Sequence, residues 1–205
     1  GIVHGGYDPV PGTLMAKLNV RGNSMYPLLA QALNFDYKPL GSLVIAFDEN
    51  GCGVLAELLA RGKKNGVAGI RIIEKEELHQ FEPNIGENSI AALYSPTAGI
   101  INPYKATWAF AESAVINGAR FFRNTTVHSI EKCDDGFIVH TGHGNIKTKF
   151  VVNSAGISAD KVSAMAGARK CIIKQRRGEY CLLDNKCKSL VNHVLFQTPT
   201  ELGKG

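Results

Sequence analysis

The chain has 205 residues, enough for one large domain or parts of two, and 44% of them are hydrophobic, enough to build a buried core. Its 23 basic and 18 acidic side chains leave a net charge of +5; the densest basic clusters, Arg61–Lys64 and Lys170–Arg177, lack interleaved stacking aromatics beyond Tyr180, which argues against nucleic acid and suits an anionic substrate or cofactor. Five cysteines (Cys52, Cys133, Cys171, Cys181, Cys187) form no C-x-x-C pair, which points to reduced thiols in a cytoplasmic setting, and no apolar run approaches the length of a membrane span.

In chain order, Thr13 can cap a helix running to about Leu33, with apolar positions at Leu14, Leu18, Leu28, Leu29 and Leu33. Tyr37–Phe47 reads as a strand interrupted near Pro39 and Gly41. Next, Gly51-Cys-Gly-Val-Leu-Ala56 has dinucleotide-binding spacing, follows Leu43–Phe47 and precedes a helical pattern over Val54–Arg61. Glu74 closes the following strand, Ile70–Ile73, at about the distance such a fingerprint needs. However, Asp48-Glu49-Asn50 separate the strand from the first glycine and put two negative charges where a pyrophosphate needs positive potential. The segment is read as a plain loop leading into a helix. Glu74–Phe81 is then a short helix ended by Pro83, and Ile90–Tyr94 a strand.

Tyr104–Asn117 carries a broad apolar stripe (Ala106, Trp108, Ala109, Ala111, Ala114, Val115, Ile116), compatible with a helix packed on a sheet and stopped by Asn117-Gly118. Ala119–Phe122 predicts a short strand. Thr126–Lys132 and Phe137–Thr141 alternate apolar and polar around an Asp134-Asp135-Gly136 turn, and His143-Gly144-Asn145 turns again. His140 and His143, at a strand end and a turn, are read as turn residues and not as metal ligands. Phe150–Gly156 reads as a buried strand ending on small residues before a helix at Ser158–Met165. Small residues at such a strand tip let a flat ligand approach bare main chain. Ile172–Leu183 and Leu190–Phe196 read as further strands. No internal repeat or low-complexity linker interrupts this order.

Five stretches carry a resemblance: Gly1-Ile-Val-His-Gly-Gly-Tyr7, Leu14-Met-Ala-Lys-Leu-Asn-Val-Arg-Gly-Asn23, Ser95-Pro-Thr-Ala-Gly-Ile-Ile-Asn-Pro103, Val151–Gly156 and Arg176-Arg-Gly-Glu-Tyr180. In this order they resemble the glycerol-3-phosphate dehydrogenase-like branch of the D-amino-acid-oxidase superfamily of FAD enzymes. The resemblance implies a mixed α+β / α/β fold. It comprises a partial two-dinucleotide-binding-type FAD domain (helix, strand, β-meander, parallel strand) and an antiparallel-sheet substrate domain. Residues 1–98 and 169–205 fall to the substrate domain and 99–168 to the FAD domain. The chain reads as an internal fragment, without the Gly-rich FAD motif before it or the C-terminal segment that would complete the flavin site. By itself it is expected neither to hold FAD nor to turn over substrate, and its uncovered apolar faces favour self-association.

The implied reaction is oxidation of a secondary alcohol by hydride transfer to flavin, with a base taking the hydroxyl proton. By family position His4 is the catalytic candidate, since its ordinary pKa lies near neutrality. Gly5 and Gly6 would let its loop approach the flavin ring. Arg177 and Tyr180 are the substrate-binding candidates, because a guanidinium fork suits carboxylate and phosphate. On an alternating strand Arg176 would face the other way. Val127, Ser154, Ala155 and Gly156 would meet FAD through main-chain atoms, and no metal is expected. The partner is a small anionic hydroxy substrate. Glycerol 3-phosphate and L-2-hydroxyglutarate both satisfy this description, and an isolated scaffold without FAD is the reading from another class. A cytoplasmic place is expected, including the periphery of the inner membrane face.

Overall fold

The apolar run Ser42–Ala46 is the centre of the larger of two units into which the chain divides, Gly1–Gly118 with Leu183–Gly205; the smaller is Ala119–Leu182. The structure is a computed structural model that describes residues 1–168 and 172–199. In the larger unit the elements run β1 (Ile2–Val3), α1 (Leu14–Leu33), β2 (Tyr37–Lys38), β3 (Ser42–Ala46), α2 (Glu49–Asn65), β4 (Arg71–Glu74), α3 (Lys75–Phe81), β5 (Ala91–Ser95), β6 (Gly99–Ile101) and α4 (Pro103–Ile116). The smaller unit holds β7 (Val127–Cys133), β8 (Gly136–Thr141), β9 (Gly144–Thr148) and α5 (Ala159–Met165). The chain then returns to the larger unit for β10 (Val194–Gln197).

Local chemistry explains the helix ends. Thr13 accepts a hydrogen bond from the Ala16 N–H at 3.2 Å, and Asn34, left-handed at φ 56°, closes α1. Asp48 accepts from the Gly51 N–H at 2.7 Å, so α2 begins at Glu49 and its carboxylate lies at the positive end of the helix. The Gly51-Cys-Gly sequence is thus the first turn of a helix, as the charges before it require, and the helix starts earlier than its apolar pattern suggested. A Cβ on Gly51 would stand 3.0 Å from the Ala46 Cβ, so this glycine lets α2 lie close on β3.

A four-stranded sheet runs in the order β10-β3-β5-β4. Its β3–β5 and β5–β4 pairs are antiparallel, and β10 adds parallel to β3 with Val194 opposite Ser42. Both faces are covered. Val44 and Ala46 pack with Leu55 and Leu58 of α2, while Leu43 and Ile45 pack with Ile73 and Leu78 beneath α3. Every residue of β3 is therefore buried, which explains its unbroken apolar sequence. Burial of each such Leu or Ile contributes about 1.5–3 kcal/mol. A second, antiparallel sheet has the order β1-β6-β2.

The α4 helix forms as expected, but it packs mainly on α1, where Ala106 joins Ala30 and Phe35. The rest of its stripe is bare, with Tyr104 and Trp108 80% and 79% exposed. Similarly, Leu14, Leu18 and Leu28 of α1 face outward while Ala16 and Ala30 are buried. Small side chains take the inward face because the helix lies close to its neighbours.

The smaller unit is a β7-β8-β9 meander on the predicted turns, with α5 against β7. Three expected strands are absent from it. Residues 119–122 and 150–155 are irregular, Phe150 and Val152 are exposed, and a short 3-10 turn (Gly156–Ser158) leads into α5. Residues 172–182 are irregular as well. Each run is apolar enough for a strand, but none has a hydrogen-bonding partner strand among the described residues, and an unpaired strand is not stable in water. Of Leu190–Phe196 only the second half is extended, and it enters the sheet in parallel, so the sheet is mixed. The predicted Cys171 and the terminal Thr200–Gly205 lie outside the described residues.

Candidate active site

The strand β1 ends at Val3, and the next residues, His4–Pro9, form a loop without ladder partners of its own. Side chains from two helices hold it. Asn23 of α1 donates to the His4 carbonyl at 3.0 Å and to the Thr97 carbonyl at 2.8 Å. Asn65 of α2 donates to the carbonyls of Gly6 and Pro9 at 2.9 and 2.8 Å, and Arg61 to that of Asp8 at 2.9 Å. Four carbonyl oxygens of the loop, and that of Thr97 beside it, are paired in this way. The loop is rigid by design of its surroundings.

Both glycines are required there. A Cβ on Gly5 would stand 2.2 Å from the Ser95 Oγ, and one on Gly6, at φ +103°, would stand 2.7 Å from the Val20 Cγ2. These close contacts put the backbone of the loop against the Ser95–Thr97 turn and α1. His4 itself is exposed, and its ring stacks on Phe196 of β10 at 5.6 Å and 23°. The two rings border a cavity of about 40 Å³ whose walls include Tyr7, Asp8, Val44 and Leu58. This volume is too small to enclose a substrate. Tyr7 is buried below. Burial pushes its phenol up to about 12, the charge of Asp8 adds to the shift, and a hydrogen bond with the Ser42 side chain pulls the other way.

The remaining candidate residues lie in the smaller unit. Val127 is half-buried at the start of β7, where the register with β8 is irregular. Ser154, Ala155 and Gly156 are exposed; Gly156 has φ +55°, and a Cβ there would meet nothing within 4 Å. Asn153 holds this main chain by accepting from the Ala155 N–H at 3.2 Å and donating to the Ala159 carbonyl at 2.8 Å. Arg177 and Tyr180 are not on a strand, so alternation does not divide Arg176 from Arg177. The Arg177 guanidinium binds Glu179 at 2.5 Å on an open surface, and Tyr180 is 96% exposed. Among the described residues no cluster of metal-binding side chains occurs, and no helix is long and apolar enough to cross a membrane. Cys52, Cys133, Cys181 and Cys187 are free thiols.

Residues 1–204 match the family of FAD dependent oxidoreductases designated DAO. The chain belongs to that family. The glycerol 3-phosphate dehydrogenase of Caloramator mitchellensis is 45% identical over 204 residues, which is 100% of this chain and 42% of that protein. An L-2-hydroxyglutarate dehydrogenase of Indibacter alkaliphilus is 30% identical and covers 97% of the chain and 50% of its own length. Among solved structures, the L-alpha-glycerophosphate oxidase of Mycoplasma pneumoniae with FAD bound superimposes with a TM-score of 0.81 at 28% identity, over 100% of this chain and 55% of that one. The chain thus spans about half the length of the relatives it matches. The family is FAD-dependent.

Tyr7 and Asn23 stood inside motifs that carried the resemblance, yet neither was marked as part of the site. A paired amide facing loop carbonyls was the available signal for Asn23. Phe196 had none, because only the parallel docking of β10 brings it to His4.

Proposed function

We propose that the protein to which this chain belongs oxidises the secondary alcohol of a small anionic substrate, glycerol 3-phosphate before others. When bound, flavin supplies the hydride acceptor. His4 takes the hydroxyl proton on a ring nitrogen, and its orientation comes from the pinned loop and the Phe196 ring. Gly5 and Gly6 keep that loop close to the Ser95–Thr97 turn, and Tyr7 and Val44 exclude water beneath it. Arg177 supplies the cation for the anionic group, exchanging its contact with Glu179 for the substrate, and Tyr180 adds a hydroxyl. Val127, Ser154, Ala155 and Gly156 present main-chain atoms to FAD, so residues 99–168 serve the cofactor and the flanking segments the substrate.

The observation that carries this reading is the 45% identity across the whole chain with a glycerol 3-phosphate dehydrogenase, joined to an exposed histidine on a loop whose carbonyls at His4, Gly6, Asp8 and Pro9 are paired by side chains of two helices. The second substrate, L-2-hydroxyglutarate, rests on the 30% identical relative. Each substrate added anaerobically to the flavin-loaded full-length protein tests the pair: bleaching of the flavin absorption by glycerol 3-phosphate is expected. Bleaching by L-2-hydroxyglutarate alone reverses the preference, and a full-length protein that takes up no flavin leaves only the scaffold reading.

A further inference from the structure

Outside the candidate site, Glu82 at the C-terminal end of α3 is a heavily paired buried charge among the described residues. It is 1% exposed. Its carboxylate accepts from the Asn192 N–H at 2.9 and 3.0 Å, from the His193 N–H at 2.6 Å and from the His193 Nδ1 at 2.7 Å. All of these donors belong to the two residues that precede β10. Neighbouring contacts reinforce the join: Asn192 Nδ2 donates to the Phe81 carbonyl at 2.9 Å and Asn84 Nδ2 to the Leu190 carbonyl at 3.1 Å. The His193 ring stacks on Phe81 at 5.3 Å and 7°, with Tyr94 edge-on at 5.8 Å.

A buried carboxylate costs several kcal/mol to desolvate, and it is retained only where donors compensate it. Core packing alone does not need one here, because β10 already has a ladder with β3 and Leu195 in the apolar core. What the carboxylate adds is register. Two consecutive N–H groups and the His193 ring nitrogen, all fixed to one carboxylate, together determine which residue of β10 faces Ser42, and with it where Phe196 lies along β3. Sliding β10 by one residue would turn Phe196 to the opposite face of the sheet and remove it from His4.

We propose that Glu82 is a positioning residue for the site: by clamping Asn192 and His193 it fixes the register of β10 and so holds the Phe196 ring against His4. The role of His4 in chemistry rests on the function proposed above; the clamp itself does not.

The test uses the full-length protein with ¹³C-labelled histidine, the His4 resonance being assigned by its loss in His4→Gln. Stacking on Phe196 gives that resonance a ring-current shift, which Phe196→Leu defines by removing it. Glu82→Gln, equal in size but bearing amide protons against amide donors, is expected to remove the same shift. It is also expected to raise hydrogen exchange at residues 194–197 by about 10-fold or more, with β4 and β5 unchanged. In the flavin-loaded protein kcat falls about 10-fold at unchanged KM. His193→Asn, whose amide nitrogen can stand in for Nδ1, keeps the shift, whereas His193→Leu loses it. If Glu82→Gln does not fold, the two His193 variants decide. An unchanged His4 shift in Glu82→Gln or in His193→Leu overturns the proposal, as does exchange that rises equally in every strand. Flavin reduction that survives His4→Ala overturns the catalytic reading of His4 and not the clamp.

Discussion

Ser42–Ala46 and Phe150–Val152 are both short apolar runs, and both read as buried strands, yet only the first becomes one. β3 has a strand on either side and a helix over each face, so none of its residues is exposed. Phe150 and Val152 have no strand beside them and are 83% and 88% exposed. Apolar sequence states only that a segment gains from burial; strand formation needs backbone partners, which Phe150–Val152 does not have among the described residues. The same contrast separates the two groups of candidate residues. His4 sits on a loop whose carbonyls are paired, whereas Arg177 and Tyr180 lie on an open segment whose nearest partner is Glu179.

The comparison can be broken most forcefully in the core. Leu93→Ala, at a position with 0% exposure in β5, is expected to lower the unfolding free energy of this chain by about 2–5 kcal/mol in a urea titration. A smaller loss would mean that the sheet is loosely packed. Gly5→Ala should cost about 1–3 kcal/mol, because its methyl would overlap the Ser95 Oγ. Ser95→Ala in the same chain should recover much of that loss, and a double-mutant cycle without coupling would refute the contact. Asn65→Ala leaves two loop carbonyls unpaired and should cost roughly 1–2 kcal/mol, read from the same titrations.

Tyr7 sharpens the comparison in alkali. Its folded pKa, about 12, is raised above the ordinary 10.0, so the neutral phenol favours the folded state. This contribution is complete below pH 10 and is lost as the pH rises towards 12. Tyr7→Phe should flatten the stability profile in that window, and an unchanged profile would place the phenol in water. The smallest effect belongs to Val152→Ala, expected within about 0.5 kcal/mol of the parent chain; a loss as large as that of Leu93→Ala would show that Phe150–Val152 is packed after all.

Much of the larger unit, and the meander of the smaller one, was legible because the signals are local. Thr13 caps α1, Asp48 caps α2, and the Asp134-Asp135-Gly136 turn sets the meander. The family resemblance pointed to His4, Gly5 and Gly6. The Phe196 ring beside His4 was not legible, since it arrives there only through a parallel pairing across most of the chain. Nor was the fate of Ile172–Leu183, where a favourable pattern has no neighbour to pair with among the described residues. The two negative charges before Gly51 were informative in the opposite sense: they argued against a phosphate site, and the structure shows Asp48 capping a helix whose apolar pattern begins only at Val54.

The parallel edge made by β10 also sets a timetable for biogenesis. On the ribosome, Ser42–Ala46 emerges well before Val194–Gln197, with all of the intervening polypeptide synthesised between them. Until then one rim of the nascent sheet is bare and greasy, open to strand exchange with other chains or to capture by chaperones. Late arrival of a four-residue segment therefore covers that rim of β3 and brings Phe196 beside the histidine in one event.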